Sequence, residues 1–216
     1  MPPATDPAMT DSWEVVVPVK NLQQAKSRLE LAPDDRIRLM IAFANDVVAA
    51  CQSSALVARV TVVADESWRS VLPQEVGIVP DPGPDLNAAV RTALASLPAG
   101  ARAAVVVGDL PCAQADQVAA LLTAAHATVE RGGWAAVPDH AGVGTTVLLG
   151  GRELDPMFGR DSYRRHRAAG AVGMMADAWS SLRLDVDDDE DVMRAAAMGV
   201  GAATRVALER LRPSTT

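Results

Sequence analysis

The stretch WEVVVPV (13–19) decides the fold, because it is apolar on both of the alternating faces that a β-strand presents. Its valines favour an extended conformation. A strand that is apolar throughout needs cover on both faces, and helices that connect parallel strands supply it. Ala-rich helical patterns follow this strand and recur between the later ones. We therefore predict an α/β fold, a Rossmann-like three-layer sandwich with a mostly parallel sheet.

Short strand patterns alternate with helical patterns along the rest of the chain. Besides 13–19, we predict strands at 58–64, 76–81, 103–107, 134–139, 144–151 and 182–187. Helical patterns cover 33–51, 85–97 and 113–129, another helix starts at 162, and the C-terminus is helical. The Pro-rich, acidic residues 1–12 are typical of a disordered tail. We expect one domain over 13–216.

Composition limits the function. The net charge of −7 argues against general nucleic-acid binding, which requires a basic face. No apolar stretch has the length of a membrane span, and the N-terminus lacks the pattern of a signal peptide. Cys51 and Cys112 form neither a disulfide framework nor a metal motif. We expect a cytoplasmic protein without membrane or nucleic-acid partners.

Three cations follow the first strand, in an otherwise acidic chain. Lys20, Lys26 and Arg28 lie where ligands bind in open α/β sheets, beyond the carboxyl end of a strand. Together they could neutralise much of a triphosphate. The segment is neither a G-x-x-x-x-G-K-[ST] loop nor a G-x-G-x-x-G loop. Polyphosphate binding is therefore one interpretation, and a solvated basic helix start is the other.

Acidic residues follow two further strand patterns. Asp109, in VVVGDLPC (105–112), could bind Mg²⁺ or could only cap a turn. Asp185 and Asp187, in LRLDVD (182–187), provide a second acidic site, which favours the metal. We expect only Asp185 of this pair to reach the site, on the premise that strand alternation separates the two. Paired carboxylates, Mg²⁺ and a cationic loop indicate phosphoryl or nucleotidyl transfer.

A third segment is rich in anion donors. Thr145 lies in a Gly-flanked turn that opens a strand, and Gly159 and Ser162 lie where a helix begins. A helix N-terminus can bind phosphate or carboxylate through its free N–H groups. We interpret most of the neighbouring arginines as solvated and His166 as structural.

The motifs PVKNLQQAKSRL, DLNAAV, VVGDLP, GVGTTV, FGRDSYRRH and LRLDVD occur in this order over about residues 13–200. This order resembles that of the phosphoenolpyruvate and 2-phospho-L-lactate guanylyltransferases of deazaflavin coenzyme F-420 biosynthesis. The wider group makes molybdenum-cofactor dinucleotides and nucleotide sugars, and the chain departs from it by having a Lys-rich first loop instead of a Gly-rich one. The resemblance implies the nucleotide-diphospho-sugar transferase fold.

The resemblance also implies roles for particular residues. It implies that Asp109 and Asp185 bind Mg²⁺ or Mn²⁺, and that Lys20, Lys26 and Asp109 act in catalysis. It implies that Thr145, Gly159 and Ser162 contact the acid. The implied nucleotide contacts are Lys20, Lys26, Arg28 and Asn87.

The activity implied by the resemblance is transfer of GMP from GTP to phosphoenolpyruvate or 2-phospho-L-lactate, with release of pyrophosphate. A downstream transferase that consumes the product is a further implied partner. Neither the base nor the choice among these acids and 3-phosphoglycerate follows from the residues themselves. A CTP- or UTP-dependent nucleotidyltransferase, such as one that makes nucleotide sugars, and a non-catalytic nucleotide-binding module remain alternatives.

Overall fold

The computed structural model describes residues 12–19, 21–22, 28–81, 83 and 85–211. One sheet forms the centre of this part of the chain. Its strands are β1 (Trp13–Pro18), β2 (Val57–Ala64), β3 (Gly77–Pro80), β4 (Arg102–Val106), β5 (Ala135–Pro138), β6 (Thr145–Gly151) and β7 (Val172–Gly173). The helices are α1 (Pro33–Gln52), α2 (Leu86–Ala95), α3 (Ala115–Glu130), α4 (Ser162–Ala168), α5 (Asp189–Met198) and α6 (Ala202–Leu211). Two 3₁₀ segments, Glu66–Ser70 and Asp177–Leu182, complete the described elements.

The sheet is mixed but mostly parallel. Its strand order is β3-β2-β1-β4-β6-β5-β7. Strand β6 runs antiparallel to both of its neighbours, and the other four pairs are parallel. Because β1 to β4 all run in one direction, their carboxyl ends meet at the same edge. The loops that carry Arg28 and Asp109 begin at that edge.

The first strand is covered on both faces, as its apolar sequence predicts. Val16 and Val17 are each fully buried. Val17 packs in a core cluster with residues of α1 and α3, whereas Val16 packs in a second cluster with residues of α2. Helices therefore lie on both sides of the sheet, and the predicted three-layer α/β sandwich is confirmed.

The predicted strand at 182–187 is wrong. This segment follows the 3₁₀ segment Asp177–Leu182 and joins no strand of the sheet. Leu184 and Val186 are buried against α1 and α5, in a cluster that includes Phe43. An alternating apolar pattern indicates that one face is buried, and here helices rather than neighbouring strands bury it.

The two cysteines also belong to the interior. Both cysteines are buried and free, and burial raises the pKa of the Cys51 thiol to about 12. Burial, with Asp46 as a smaller cause, raises the pKa of Cys112 to about 11. Such thiols are poor nucleophiles at neutral pH. No helix in the described ranges is both long and apolar enough to cross a membrane.

Asp46 attaches the C-terminal helix α6 to α1. It is buried in α1, and its two carboxylate oxygens accept hydrogen bonds from the N–H groups of Ala203 and Thr204, each at 2.9 Å. Gly201 lies directly over it, where an added Cβ would be 2.2 Å from Asp46 Cγ. The carboxylate thus caps the first turn of α6 from another helix.

We expect Asp46→Ala to lower the free energy of unfolding by about 2 kcal/mol, since it leaves two N–H groups of the α6 N-terminus without their acceptor. Asp46→Asn keeps one acceptor oxygen and should lose less. Urea denaturation followed by circular dichroism measures both. The exposed Asp34→Ala, in the first turn of α1, is the control. An Asp46→Ala protein as stable as this control would contradict the capping role.

Candidate active site

A cavity of about 700 Å³ opens at the carboxyl edge of the parallel strands. Its volume lies within the range of small-molecule sites. Six of the residues selected from the sequence line it: Arg28, Asp109, Thr145, Gly159, Ser162 and Asp185. Lys20 and Lys26 lie outside the described residues. The three chain segments that the motifs single out therefore share one cavity.

Asp109 enters the cavity directly after β4. The preceding residue, Gly108, lies against the end of β1, where an added Cβ would be 2.7 Å from Val19 Cγ1 and 3.2 Å from the carbonyl oxygen of Pro18. A larger residue would push the two strand ends apart. The glycine thus lets Asp109 lie directly beside the loop that follows β1.

Asp185 and Asp187 both line the cavity, so the expectation that only Asp185 reaches it is wrong. The premise was wrong as well, because residues i and i+2 of an extended segment lie on the same face. The N–H of Val186 donates to the carbonyl oxygen of Asp109 at 3.0 Å. Val186 lies in the core, and the two aspartates on either side of it lie at the cavity.

The carboxylates at the cavity repel one another. The pKa of Asp185 is raised to about 7, first by burial and then by Asp109, Asp139 and Asp187. A divalent cation would relieve this repulsion. No group of three or more His, Cys, Asp or Glu side chains within the described ranges forms a complete metal site. The pair of carboxylates Asp109 and Asp185 fits Mg²⁺, which takes one or two carboxylates and fills its other positions with water and phosphate oxygens.

The loop that precedes β6 is held by Asp139, which the sequence analysis did not select. Its carboxylate accepts hydrogen bonds from the N–H groups of Val143 (2.8 Å) and Gly144 (2.6 Å). Arg183 donates to the carbonyl oxygens of Pro138 (3.1 Å) and Asp139 (3.0 Å). The loop is therefore tied both to itself and to the segment that carries Asp185. An Asp shortly before a Gly-x-Gly turn is the signal that could have revealed it.

Thr145 and Ser162 form one hydrogen-bonded unit at the cavity wall. The N–H of Thr145 donates to Ser162 Oγ at 2.8 Å, and both residues are buried. Thr145 Oγ1 lies 2.8 Å from Nδ1 of His166. The second ring nitrogen of His166, Nε2, accepts from the N–H of Met157 at 2.9 Å. The ring is fully buried, which agrees with a structural role.

The turn before α4 corrects the prediction of a free helix N-terminus. Gly159 has φ of 114° and Asp161 has φ of 53°, in the left-handed region. This turn directs the N–H of Ser162 to the carbonyl oxygen of Gly159, at 3.1 Å. The N–H of Tyr163 donates to the carbonyl oxygen of Val143, also at 3.1 Å. These two N–H groups are therefore already engaged by carbonyl oxygens.

The side-chain amide of Asn87 forms two hydrogen bonds with the backbone of Phe158. Its Oδ1 accepts from the N–H of Phe158 at 2.7 Å, and its Nδ2 donates to the carbonyl oxygen at 3.1 Å. Arg165 donates to the same carbonyl oxygen at 3.4 Å. In this arrangement Asn87 holds the loop that leads into Gly159, and a contact to the nucleoside stays a prediction.

Similar sequences show the family of this chain. The family model described as guanylyl transferase CofC-like matches residues 13–215. The chain is 42% identical over 206 residues to a phosphoenolpyruvate guanylyltransferase of Nocardia farcinica, covering 89% of each chain. It is 43% identical over 209 residues to one of Streptomyces coelicolor, covering 92% of this chain and 97% of the relative.

Solved structures share the fold at low identity. A nucleotide-diphospho-sugar transferase, so described, from Desulfovibrio desulfuricans G20 aligns with a TM-score of 0.58 and 16% identity, covering 87% of this chain and 96% of that one. Rv0371c of Mycobacterium tuberculosis H37Rv, solved as a manganese complex, aligns with a TM-score of 0.54 and 18% identity, covering 85% and 97%. These similarities show the fold. The family model and the sequence relatives show the family: the chain belongs to the CofC-like guanylyl transferases.

Proposed function

We propose that the protein transfers GMP from GTP to the phosphate group of phosphoenolpyruvate, or of 2-phospho-L-lactate, and releases pyrophosphate in deazaflavin coenzyme F-420 biosynthesis. The observation that carries the proposal is the shared cavity, in which Asp109 and Asp185 lie together with Thr145, Gly159 and Ser162. The relatives at 42% and 43% identity are named phosphoenolpyruvate guanylyltransferases, which favours that acid.

In the proposed reaction a phosphate oxygen of the acid attacks the α-phosphorus of GTP. A new P–O bond forms, and the bond from the α-phosphorus to the α–β bridging oxygen breaks. Its electron pair leaves with pyrophosphate. A phosphate monoester has a second pKa of about 6 and is mostly a dianion at neutral pH. The acceptor oxygen therefore needs no general base, in agreement with the burial of His166.

Asp109 and Asp185 are the proposed ligands of Mg²⁺ or Mn²⁺, and Asp187 also lines the cavity. Bound there, the cation would supply the positive charge that offsets repulsion between the triphosphate and the acid. By holding that cation, the two aspartates would help to orient the reacting groups. The raised pKa of Asp185 supports a site built for positive charge.

The two substrates are assigned to different walls of the cavity. Arg28, which is exposed at the cavity, is proposed to bind the phosphates of GTP together with Lys20 and Lys26. Asn87 is proposed to lie near the nucleoside. Thr145 and Ser162 are proposed to bind the acid through their hydroxyl groups and Gly159 through its backbone, since hydrogen bonds to charged groups are the strong ones.

The proposed setting is the cytoplasm, where GTP and the acid are available as small molecules and a downstream transferase would consume the product. We further propose that residues 13–216 act as one domain. A second candidate function is a CTP- or UTP-dependent synthesis of nucleotide sugars, favoured by the fold shared with the Desulfovibrio protein.

Metal dependence tests the carboxylate site. Asp109→Asn and Asp185→Asn should each reduce pyrophosphate release at least ~100-fold, because each loses a charged ligand at the reacting phosphates. Removing divalent cations with EDTA should abolish turnover, and Mg²⁺ or Mn²⁺ should restore it.

Asp116→Asn, at an exposed position of α3, is the matched control for these variants and should retain activity. Circular dichroism checks that each variant is folded. A folded Asp109→Asn enzyme with normal turnover would remove the metal assignment. Because Asp187 lines the same cavity, Asp187→Asn should also lower activity.

Steady-state kinetics test how the substrates are divided between the walls. Ser162→Ala should raise KM for the acid about tenfold and leave KM for GTP nearly unchanged, since it removes one hydrogen bond to a charged group. Arg28→Ala should do the reverse, and Lys26→Ala should follow Arg28→Ala. If Ser162→Ala and Arg28→Ala both change only the GTP parameter, the acid pocket has been misplaced.

Ligand choice separates the two candidate functions. Isothermal titration of the Mg²⁺-loaded protein should show tighter binding of phosphoenolpyruvate or 2-phospho-L-lactate than of glucose-1-phosphate. A sugar would leave hydroxyl groups unpaired, at about 1–3 kcal/mol for each buried one. Tighter binding of glucose-1-phosphate, with pyrophosphate release from UTP or CTP but not from GTP, would favour nucleotide-sugar synthesis instead.

A further inference from the structure

We propose that His166 is a positioning residue, which fixes the hydroxyl group of Thr145 as a hydrogen-bond donor toward an anionic oxygen of the acid. The inference rests on the proposed function, because it concerns the same acid pocket. It assigns a task to a fully buried polar side chain that does not itself line the cavity wall with Thr145 and Ser162.

The contacts of the imidazole determine which of its nitrogens carries the proton. A backbone N–H can only donate, and the N–H of Met157 lies 2.9 Å from Nε2 of His166. Nε2 must therefore be the unprotonated acceptor. In a neutral ring the proton is then on Nδ1. Nδ1 lies 2.8 Å from Thr145 Oγ1, so the ring donates and the hydroxyl oxygen accepts.

The surroundings keep the ring neutral and fixed in orientation. Burial lowers the pKa of His166 to about 4, with Arg165 as a smaller cause in the same direction and Asp155 opposing it. The rings of Phe158 and Trp134 meet the imidazole edge-on, with centroids 5.6 and 5.9 Å away. At neutral pH the ring therefore presents one donor and one acceptor.

The direction of this hydrogen bond determines what Thr145 presents to the cavity. Thr145 Oγ1 accepts from the ring, so its own hydrogen is available for another acceptor, and Thr145 lines the cavity. Ser162 Oγ accepts from the N–H of Thr145 in the same way, and its hydrogen is also available. Two neighbouring hydroxyls are thereby set to donate. Such a pair suits a carboxylate or phosphate oxygen, which can only accept.

The ring also joins the two sides of the pocket. Thr145 opens β6, whereas Met157 belongs to the loop that leads through Phe158 to Gly159. The same loop is held from α2 by Asn87. Loss of Nδ1 should therefore disturb only the Thr145 side, and loss of Nε2 only the Met157 side. Two substitutions of His166 separate these effects. Asn places its amide near the position of Nδ1, and Gln places its amide near the position of Nε2.

The first test measures the wild-type protein. Nitrogen-15 NMR of the histidine rings at pH 7 should show His166 as the neutral tautomer protonated at Nδ1, with its signal identified by its loss in His166→Gln or His166→Asn. A ring protonated at Nε2, or at both nitrogens, would overturn the inference. The readout is independent of turnover, so it separates failure of this inference from failure of the proposed function.

The second test is a double-mutant cycle with Thr145→Val. His166→Gln should raise KM for phosphoenolpyruvate about tenfold, as expected for one misdirected hydrogen bond to a charged group, and change KM for GTP less than about twofold. His166→Asn should recover most of this loss. In the Thr145→Val background, His166→Gln should add less than about a twofold change, because the hydroxyl through which it acts is gone.

His126→Gln, on α3 beside Arg102, is the control and should leave both KM values unchanged. Effects of His166→Gln and Thr145→Val that multiply in the double variant would overturn the inference, as would equal increases in both KM values. A wild-type protein that releases no pyrophosphate with any of the acids would instead refute the proposed function and leave the NMR result to decide the tautomer.

Discussion

The hydrogen bond from the N–H of Val186 to the carbonyl oxygen of Asp109 holds the candidate active site together. It joins the loop after β4 to a segment distant in sequence that belongs to no strand. Burial of Leu184 and Val186 against α1 and α5 supports it with apolar packing. With that segment fixed, Asp185 and Asp187 lie at the same cavity as Asp109. The carboxylates repel one another there, and the packing supplies the free energy that holds them close.

Polar side chains shape the rest of the cavity by binding backbone groups. Asp139 holds the loop before β6, Asn87 holds Phe158, and His166 connects Met157 to Thr145. Each of these side chains satisfies a backbone N–H group in an irregular loop. Loops that bind ligands need such support, because they lack the regular hydrogen bonds of helices and strands. The supporting residues thus define the geometry of the groups that would meet the substrates.

The aspartates at the cavity give a physical reason for the cations that follow the first strand in the sequence. The cavity collects aspartates from two segments, and the proposed substrates are themselves anions. Without positive charge, triphosphate, acid and carboxylates would repel one another. A divalent cation at the carboxylates, together with Arg28 at the cavity, would offset that repulsion. The acidic net charge of the chain is therefore compatible with binding of small anions at one basic loop.

The sequence by itself determined the sandwich, because a strand as apolar as 13–19 must be covered on both faces, and it selected six residues that line one cavity. The alternation of LRLDVD predicted a strand, which was wrong, although the segment is half-buried. Periodicity does not show which elements bury the apolar face of this segment, and only the tertiary structure placed helices against it. The tertiary structure also brought Asp187 to the cavity with Asp185. The roles of Asp139, Asn87 and His166 depend on bonds to backbone groups 4 to 71 positions away. Such contacts leave no periodic signal in the sequence, because folding alone decides which backbone groups lie within reach of a side chain.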